Sequence, residues 1–243
     1  MAHQRAQLDT HPGRDEPAAP AAVELPGGGR ALFTTRLDGN LSTGAGVDHA
    51  HGLDRRAELC GRLGLRWLCS SRQVHGTAVH VVERITGTAG EPVAIDADGH
   101  ATATPGLGVT VLAADCLPVA LGCDGAVAML HAGWRGLAAG VLEHGVGVLR
   151  ELGGDETPIA AVVGPGAGVC CYEVGGEVQN AFAGAHAHGR RVDLRAIADE
   201  RLRAAGIADV RHVNACTICD ERFFSYRREG ARAGRHAGIA WLS

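Results

Sequence analysis

Lysine is missing from this 243-residue chain: all 23 basic residues are arginine. That excludes a Schiff-base lysine and the lysine of a Walker-type phosphate loop. Any bound phosphate or carboxylate must be held by arginine, backbone N–H groups or a metal ion. An excess of positive charge is also lacking. The formal net charge is −4, so nothing steers the chain toward nucleic acid or an anionic membrane. No apolar run reaches the length of a membrane span. The first residues carry no apolar signal region, and the reading is of a chain in the reducing cytoplasm. Its eight cysteines are then free thiols rather than a disulfide framework. Methionine is confined to Met1 and Met129, and no repeat with a solenoid period is visible.

What is present is apolar material for a core, at 46% of residues, which is enough to order a sizeable domain. Residues 1–22 are polar and proline-containing and read as a disordered tail, leaving 23–243 as one catalytic domain. Strand-length apolar segments lie at 31–35, 66–69, 78–82, 109–113, 118–121, 126–130, 159–163, 210–213 and 238–242. Helical spacing covers 53–63, 136–149, 174–182 and 194–205, while 37–52 reads as loop. Many short strands and few helices predict an α+β fold with mixed sheets rather than a doubly wound parallel one.

Three segments end strand-like stretches with a metal-competent side chain beside glycine or aspartate. They are Arg72-Gln-Val-His75-Gly76, Ala114-Asp115-Cys116-Leu-Pro118 and His131-Ala-Gly133-Trp134-Arg135-Gly136. His75, Cys116 and His131 would make a His₂Cys set suited to zinc, with a fourth position open for water or substrate. The same residues also read as a loop cap, a small buried hydrophobe and a core histidine. Spacing alone leaves both readings open. Arg135 opens a helix, where an anion is favoured, but it also reads as a surface arginine beside a core tryptophan.

Other segments carry weaker signals. Gly164-Pro-Gly-Ala-Gly168 follows a strand but lacks the GxGxxG spacing of a dinucleotide site. Cys216-Thr-Ile-Cys219 is a CxxC without a second pair at similar spacing, so it reads as core or support, and adjacent Cys170 and Cys171 read as structural. Phe223-Phe-Ser-Tyr-Arg-Arg228 is either a packed turn or a cavity wall bearing an anion-binding arginine. His49-Ala-His51 and His186-Ala-His188 have the HxH form of copper oxidases, but polar surroundings mark them as surface histidines.

Together these segments are more specific than any one of them. With Thr34-Thr35-Arg36, Cys170-Cys171-Tyr172-Glu173-Val174-Gly175, Cys216-Thr217 and Gly234-Arg235, in this order, the chain closely resembles the laccase-domain purine nucleoside phosphorylases, a family also known as polyphenol oxidases or peptidoglycan-editing factors. The resemblance spans residues 32–243. It implies a four-layer αββα sandwich shared with cysteine-type toxin deamidases, and a catalytic zinc on His75, Cys116 and His131. It implies phosphorolysis of adenosine, inosine, guanosine and methylthioadenosine, with hydrolytic deamination of adenosine. The chain departs from the family pattern after Arg36, where Leu37-Asp-Gly-Asn-Leu-Ser42 replaces the usual glycine-glycine-valine-serine, and at Asp98-Gly-His-Ala-Thr102.

On this reading the partners are purine nucleosides and inorganic phosphate, with neither nucleic acid nor membrane, in a monomer or small homo-oligomer. Arg36, Arg135 and Arg228 are the candidates for phosphate. Asp115, next to a ligand, is a candidate general base, although in a strand it would point away from Cys116. Three rivals use the same residues. Cys116 could be the nucleophile of a metal-independent amidohydrolase acting on cell-wall precursors, with His131 or His75 as base. Copper could replace zinc in a polyphenol oxidase, although the chain has neither a methionine ligand candidate nor a full HxH array. Zinc could also be a structural staple in a protein without catalysis.

Overall fold

The computed structural model describes residues 21–44, 49–85 and 91–243. Most of the expected N-terminal tail lies outside these residues.

Alternation along single strands decides which layer each side chain joins. In strand Ala126–Ala132, Ala126, Ala128 and Leu130 face one core while Val127 and Met129 face the opposite one. A strand whose successive side chains point to opposite faces, both buried, must be covered on both sides. The same holds for Gly29–Phe33, where Ala31 and Phe33 enter one cluster and Leu32 another.

These strands form two mixed sheets. The first is five-stranded, in the order Val23–Glu24, Gly29–Phe33, His236–Leu242, Leu107–Ala113 and Trp67–Cys69, with only the last pair parallel. The second is six-stranded, in the order Asp209–His212, Ala160–Val163, Leu117–Cys123, Ala126–Ala132, Gly99–Thr102 and Val79–Val81, with parallel pairs at its two ends. The sheets face each other across Phe33, Trp67, Val109, Met129 and Val162. Helix His49–Leu63 covers the outer face of the first sheet, where Leu59 and Cys60 meet Leu32, Leu68, Ile239 and Trp241. Helices Val141–Gly153 and Leu194–Ala204 cover the second, packing Leu142, Leu149 and Ile197 on Leu121, Leu130 and Val163. The fold is thus α+β with mixed sheets, in helix, sheet, sheet, helix layers. Among the described residues no helix is long and apolar enough to cross a membrane.

Three differences from the sequence expectation have local causes. The single helix expected over 136–149 is two, Trp134–Ala139 and Val141–Gly153, because the chain turns at Gly140 with φ 98°. Glycine adopts that left-handed conformation without steric cost, and helical spacing continues on both sides of a one-residue break. The 37–52 segment is not all loop, since a capped 3₁₀ turn occupies Arg36–Asp38 and the next helix already starts at His49. Strand Gly99–Thr102 was not foreseen. It is buried throughout yet includes His100 and Thr102, so it lacks an apolar signature.

The chain crosses from the first sheet to the second between Leu107–Ala113 and Leu117–Cys123. The turn between them, the loop before Val79–Val81 and the C-terminal end of Ala126–Ala132 are the three places that carry Cys116, His75 and His131.

Candidate metal centre and its cleft

His131 is the last-but-one residue of a central strand and is almost fully buried, so its ring is fixed by the sheet. Its Nδ1 lies 2.8 Å from Asp98 Oδ1, which leaves Nε2 for the cleft. Asp98 is itself fully buried and also accepts the backbone N–H groups of Val74 (3.0 Å), His75 (2.9 Å) and Gly76 (2.7 Å). One carboxylate thereby orients one histidine and moulds the loop that bears the other. Burial pushes the Asp98 carboxyl up, but the bonds from His131, Gly76 and Val74 outweigh it and hold it below the ordinary carboxylate range. The loop is tied from its other side by Gln73, whose amide exchanges two hydrogen bonds with the backbone of Leu112 (2.7 and 2.8 Å).

Two residues at this site have left-handed backbones, His75 with φ 60° and Asp115 with φ 96°. Such conformations are costly away from glycine and persist only where the surroundings enforce them. At His75 the enforcing group is Asp98. At Asp115 the carboxylate accepts Thr217 Oγ1 (2.7 Å) and the N–H of Arg227 (2.7 Å). Asp115–Cys116 therefore lies in a turn rather than a strand, and the Asp115 side chain is tied to a neighbouring loop.

The outcome is a tight triad. His75 Nε2 is 3.8 Å from Cys116 Sγ, the two imidazole rings meet edge-on at 4.9 Å between centroids, and the ligand atoms of His75, Cys116 and His131 lie within 4.8 Å of one another. Gly133 leaves the room they need, because a Cβ there would sit 2.8 Å from His75 Cδ2 and 3.0 Å from Cys116 Sγ. Burial alone would raise the Cys116 thiol and lower the His131 imidazole. Their mutual attraction outweighs it, holding the thiol well below its usual range and the imidazole above its own. Two imidazole nitrogens and a thiolate, one nitrogen anchored through a carboxylate on the far side of its ring, are a donor set that fits zinc.

The triad opens into a cleft of about 1080 Å³. Of the arginines considered for phosphate, Arg135 lines this cleft, is exposed and stacks on Trp134 at 4.2 Å. Arg36 does not: it lines a separate cavity, lies over Phe224 at 4.4 Å, donates to Phe223 O and pairs with Glu229. Arg228 does not either, its guanidinium being bound to the carbonyls of Thr217 (2.8 Å), Ile218 (2.9 Å) and Phe223 (2.5 Å) and to Glu229. Four further arginines line the cleft, Arg56, Arg72, Arg227 and Arg235, none of which was among the phosphate candidates. Arg72 forms a two-point pair with Asp96, and Arg227 lies over Tyr172 at 4.8 Å. The HxH pairs do not join the triad. Asp98 is the other residue missed, and its only signal was an aspartate set beside glycine before a buried stretch.

With this geometry in view, the match of residues 30–243 to the family model described as multi-copper polyphenol oxidoreductase laccase is decisive. The chain belongs to this family. A purine nucleoside phosphorylase of Pseudomonas aeruginosa, PA4543, is 41% identical, covering 92% of this chain and 95% of that protein. Purine nucleoside phosphorylase YfiH of Escherichia coli is 37% identical, covering 89% and 95%. The crystal structure of Neisseria meningitidis protein NMB0706 superposes on this family member with a TM-score of 0.79 at 30% identity, over 93% of this chain and 99% of that one.

Proposed function

We propose that this laccase-family chain is a zinc-dependent purine nucleoside phosphorylase of the cytoplasm, with adenosine deamination as a second activity, and that residues 23–243 form its single catalytic domain. The observation that carries the reading is the His75–Cys116–His131 triad at the base of an arginine-lined cleft, in a chain whose relatives bear the phosphorylase name.

In phosphorolysis an oxygen of inorganic phosphate forms a bond to ribose C1′ while the bond from C1′ to the purine nitrogen breaks. The products are ribose 1-phosphate and free base. Charge separates as the bond breaks, so an anion must be held beside a developing cation. Arg135 and Arg227 suit that task, since each lines the cleft with its guanidinium over an aromatic ring, Arg227 being held further by one bond to Glu173 O, and each keeps donors for charge-assisted bonding. Bound at the triad, zinc would supply Lewis acidity toward a substrate oxygen or toward the water that deamination requires. Asp98 keeps His131 in one tautomer and His75 in one backbone conformation, and Asp115 holds the Cys116 turn against the short helix Tyr226–Glu229 that carries Arg227.

A second reading has an observation of its own. Cys116 beside His131 favours a thiolate–imidazolium pair, which is the form a cysteine amidohydrolase needs. Turnover of inosine and adenosine with and without phosphate, on zinc-loaded wild type and Cys116→Ala, separates the two. Phosphate-dependent base release that is lost in Cys116→Ala is the expected result. Full zinc occupancy with neither base release nor deamination would overturn the phosphorylase reading in favour of amide substrates.

A further inference from the structure

The described residues contain a second group able to hold a metal, distinct from the triad: Cys170, Cys171, Cys216 and Cys219, whose sulfurs lie within 4.8 Å of one another. From the sequence, Cys216-Thr-Ile-Cys219 lacked a partner pair. The fold supplies it from the loop after strand Ala160–Val163, about which the linear spacing says nothing.

We infer that these four cysteines form a structural tetrathiolate site for a single zinc ion, clasping the loop that leads into Tyr172 of the cleft to the loop that carries Thr217. Three aspects of the geometry carry this. First, a zinc–sulfur bond of about 2.3 Å makes the edge of a ZnS₄ tetrahedron about 3.8 Å, and Cys170 Sγ and Cys219 Sγ are 3.8 Å apart. A disulfide would need about 2.05 Å. Adjacent cysteines diverge in extended chain, but here Cys171 N and Tyr172 N both bond back to Gly168 O (3.0 and 2.9 Å), a turn that brings Cys170 and Cys171 to the same cluster.

Second, the cluster is built to receive thiolates. The N–H of Gly168 points at Cys216 Sγ from 3.2 Å, and those of Ile218 and Cys219 point at the same sulfur. Amides donating to one CxxC sulfur stabilise it as an anion. Gly168 is needed for the approach, since a Cβ there would lie 3.2 Å from Cys216 Sγ and 3.3 Å from Cys170 Sγ. Four thiolates around a divalent ion leave a net negative charge, and the half-buried Arg195 guanidinium sits beside Cys216 and Cys170 to offset it.

Third, the site has mechanical consequence. Thr217, inside the CxxC, donates to Asp115, and Arg228 holds the carbonyls of Thr217 and Ile218. On the other loop, Tyr172 follows Cys171 directly and stacks with Arg227. An ion here would fix Tyr172, Arg227 and Asp115 as one unit. All four ligands come from the protein, so no position is left for substrate, which is the mark of a structural site.

Metal content of the purified full-length chain tests this. Wild type is expected to hold two zinc equivalents. Cys116→Ala should lose one, and Cys170→Ser/Cys219→Ser should lose the other while keeping the triad's ion. Cobalt loading of Cys116→Ala leaves the cluster untouched and guards against a misfolded double variant. One cobalt per chain, with intense thiolate-to-cobalt charge transfer and tetrahedral d–d bands, is expected. Unchanged metal content in Cys170→Ser/Cys219→Ser, or no such cobalt spectrum in Cys116→Ala, would overturn the site. If the triad holds no zinc, as the metal-independent reading requires, wild type holds one equivalent and Cys116→Ala loses none, while the loss in Cys170→Ser/Cys219→Ser stands, so the two failures are distinguishable.

Discussion

Asp98 shows how much one side chain can organise at the residue scale. Its carboxylate satisfies four N–H groups at once, three from the backbone of the His75 loop and one from His131. Asp98→Asn keeps the shape but turns one acceptor into a donor, so at least one of those bonds is lost. A carboxylate behind a metal-binding histidine typically contributes about 10- to 100-fold in metal affinity. Zinc competition against a chromophoric chelator should therefore show a weakening of that order in Asp98→Asn, together with a lower thermal midpoint, because buried N–H groups lose their acceptor. An unchanged affinity would mean that Asp98 shapes the loop without tuning the ligand. Arg135 is tested against Arg36 in the same way. Loss of a charge-assisted hydrogen bond costs about 1.5–3 kcal/mol, so Arg135→Ala should raise the KM for phosphate by about 10- to 100-fold. Arg36→Ala should leave that KM alone and lower stability, because its guanidinium already serves Glu229 and Phe223. The glycine and aspartate beside His75, Cys116 and His131 left them open between ligands and core residues; the resemblance of the whole motif set implied the triad, and the fold brings the three side chains together. Arg36 and Arg228 were misjudged because a chain without lysine makes every arginine look like an anion site, and only tertiary contacts reveal which guanidinium groups are already engaged.

At the scale of elements, the strands of the two sheets could be read from apolar stretches, while their partners could not. Strand Gly99–Thr102 carries polar side chains into the core beside the site, so its pairing is dictated by its neighbours rather than by its own composition. The CxxC was visible, but its complement lies on another loop. Helix Val141–Gly153 gives a sharper test, since it contains two interior glycines with opposite surroundings. A Cβ at Gly145 would come within 2.4 Å of Leu130 in the central strand, whereas at Gly147 it would meet nothing within 4 Å. Removing glycine from an unobstructed helix interior gains about 0.5–1 kcal/mol. Overpacking a filled core costs about 1–3 kcal/mol. Gly147→Ala should raise the denaturation midpoint and Gly145→Ala should lower it, with both readable in parallel denaturant titrations. Equal effects of the same sign would mean that the helix is not seated against Leu130 as described.

The whole molecule responds to pH through histidines that its layers enclose. His100 lies in the six-stranded sheet, facing His80 and Asp98. His236 lies in the five-stranded sheet against the Phe223 ring, facing Arg235 and Arg36. Burial is the main cause that holds both imidazoles neutral, with pKa values lowered to about 3. In the unfolded chain the same groups titrate near the ordinary histidine value of about 6.5. Between these limits the unfolded state binds more protons than the native one, so stability rises with pH. It is fully present above about 6.5 and is lost progressively as pH falls toward about 3. For two such groups the loss between pH 8 and pH 5 is about 4 kcal/mol, a large part of the stability of an ordinary domain. Asp98, whose pKa is lowered, adds a loss of the same sign at lower pH. His49, exposed and raised by Thr43 and Glu91, acts in the opposite sense from the surface. Urea unfolding of wild type and His236→Phe at pH 8 and pH 5 isolates one buried imidazole. The variant should lose about 2 kcal/mol less stability over that interval than wild type, whatever its stability at pH 8. An equal loss in both proteins would mean that His236 keeps its charge inside the fold, and Arg36 and Arg235 would then have to be turned away from it.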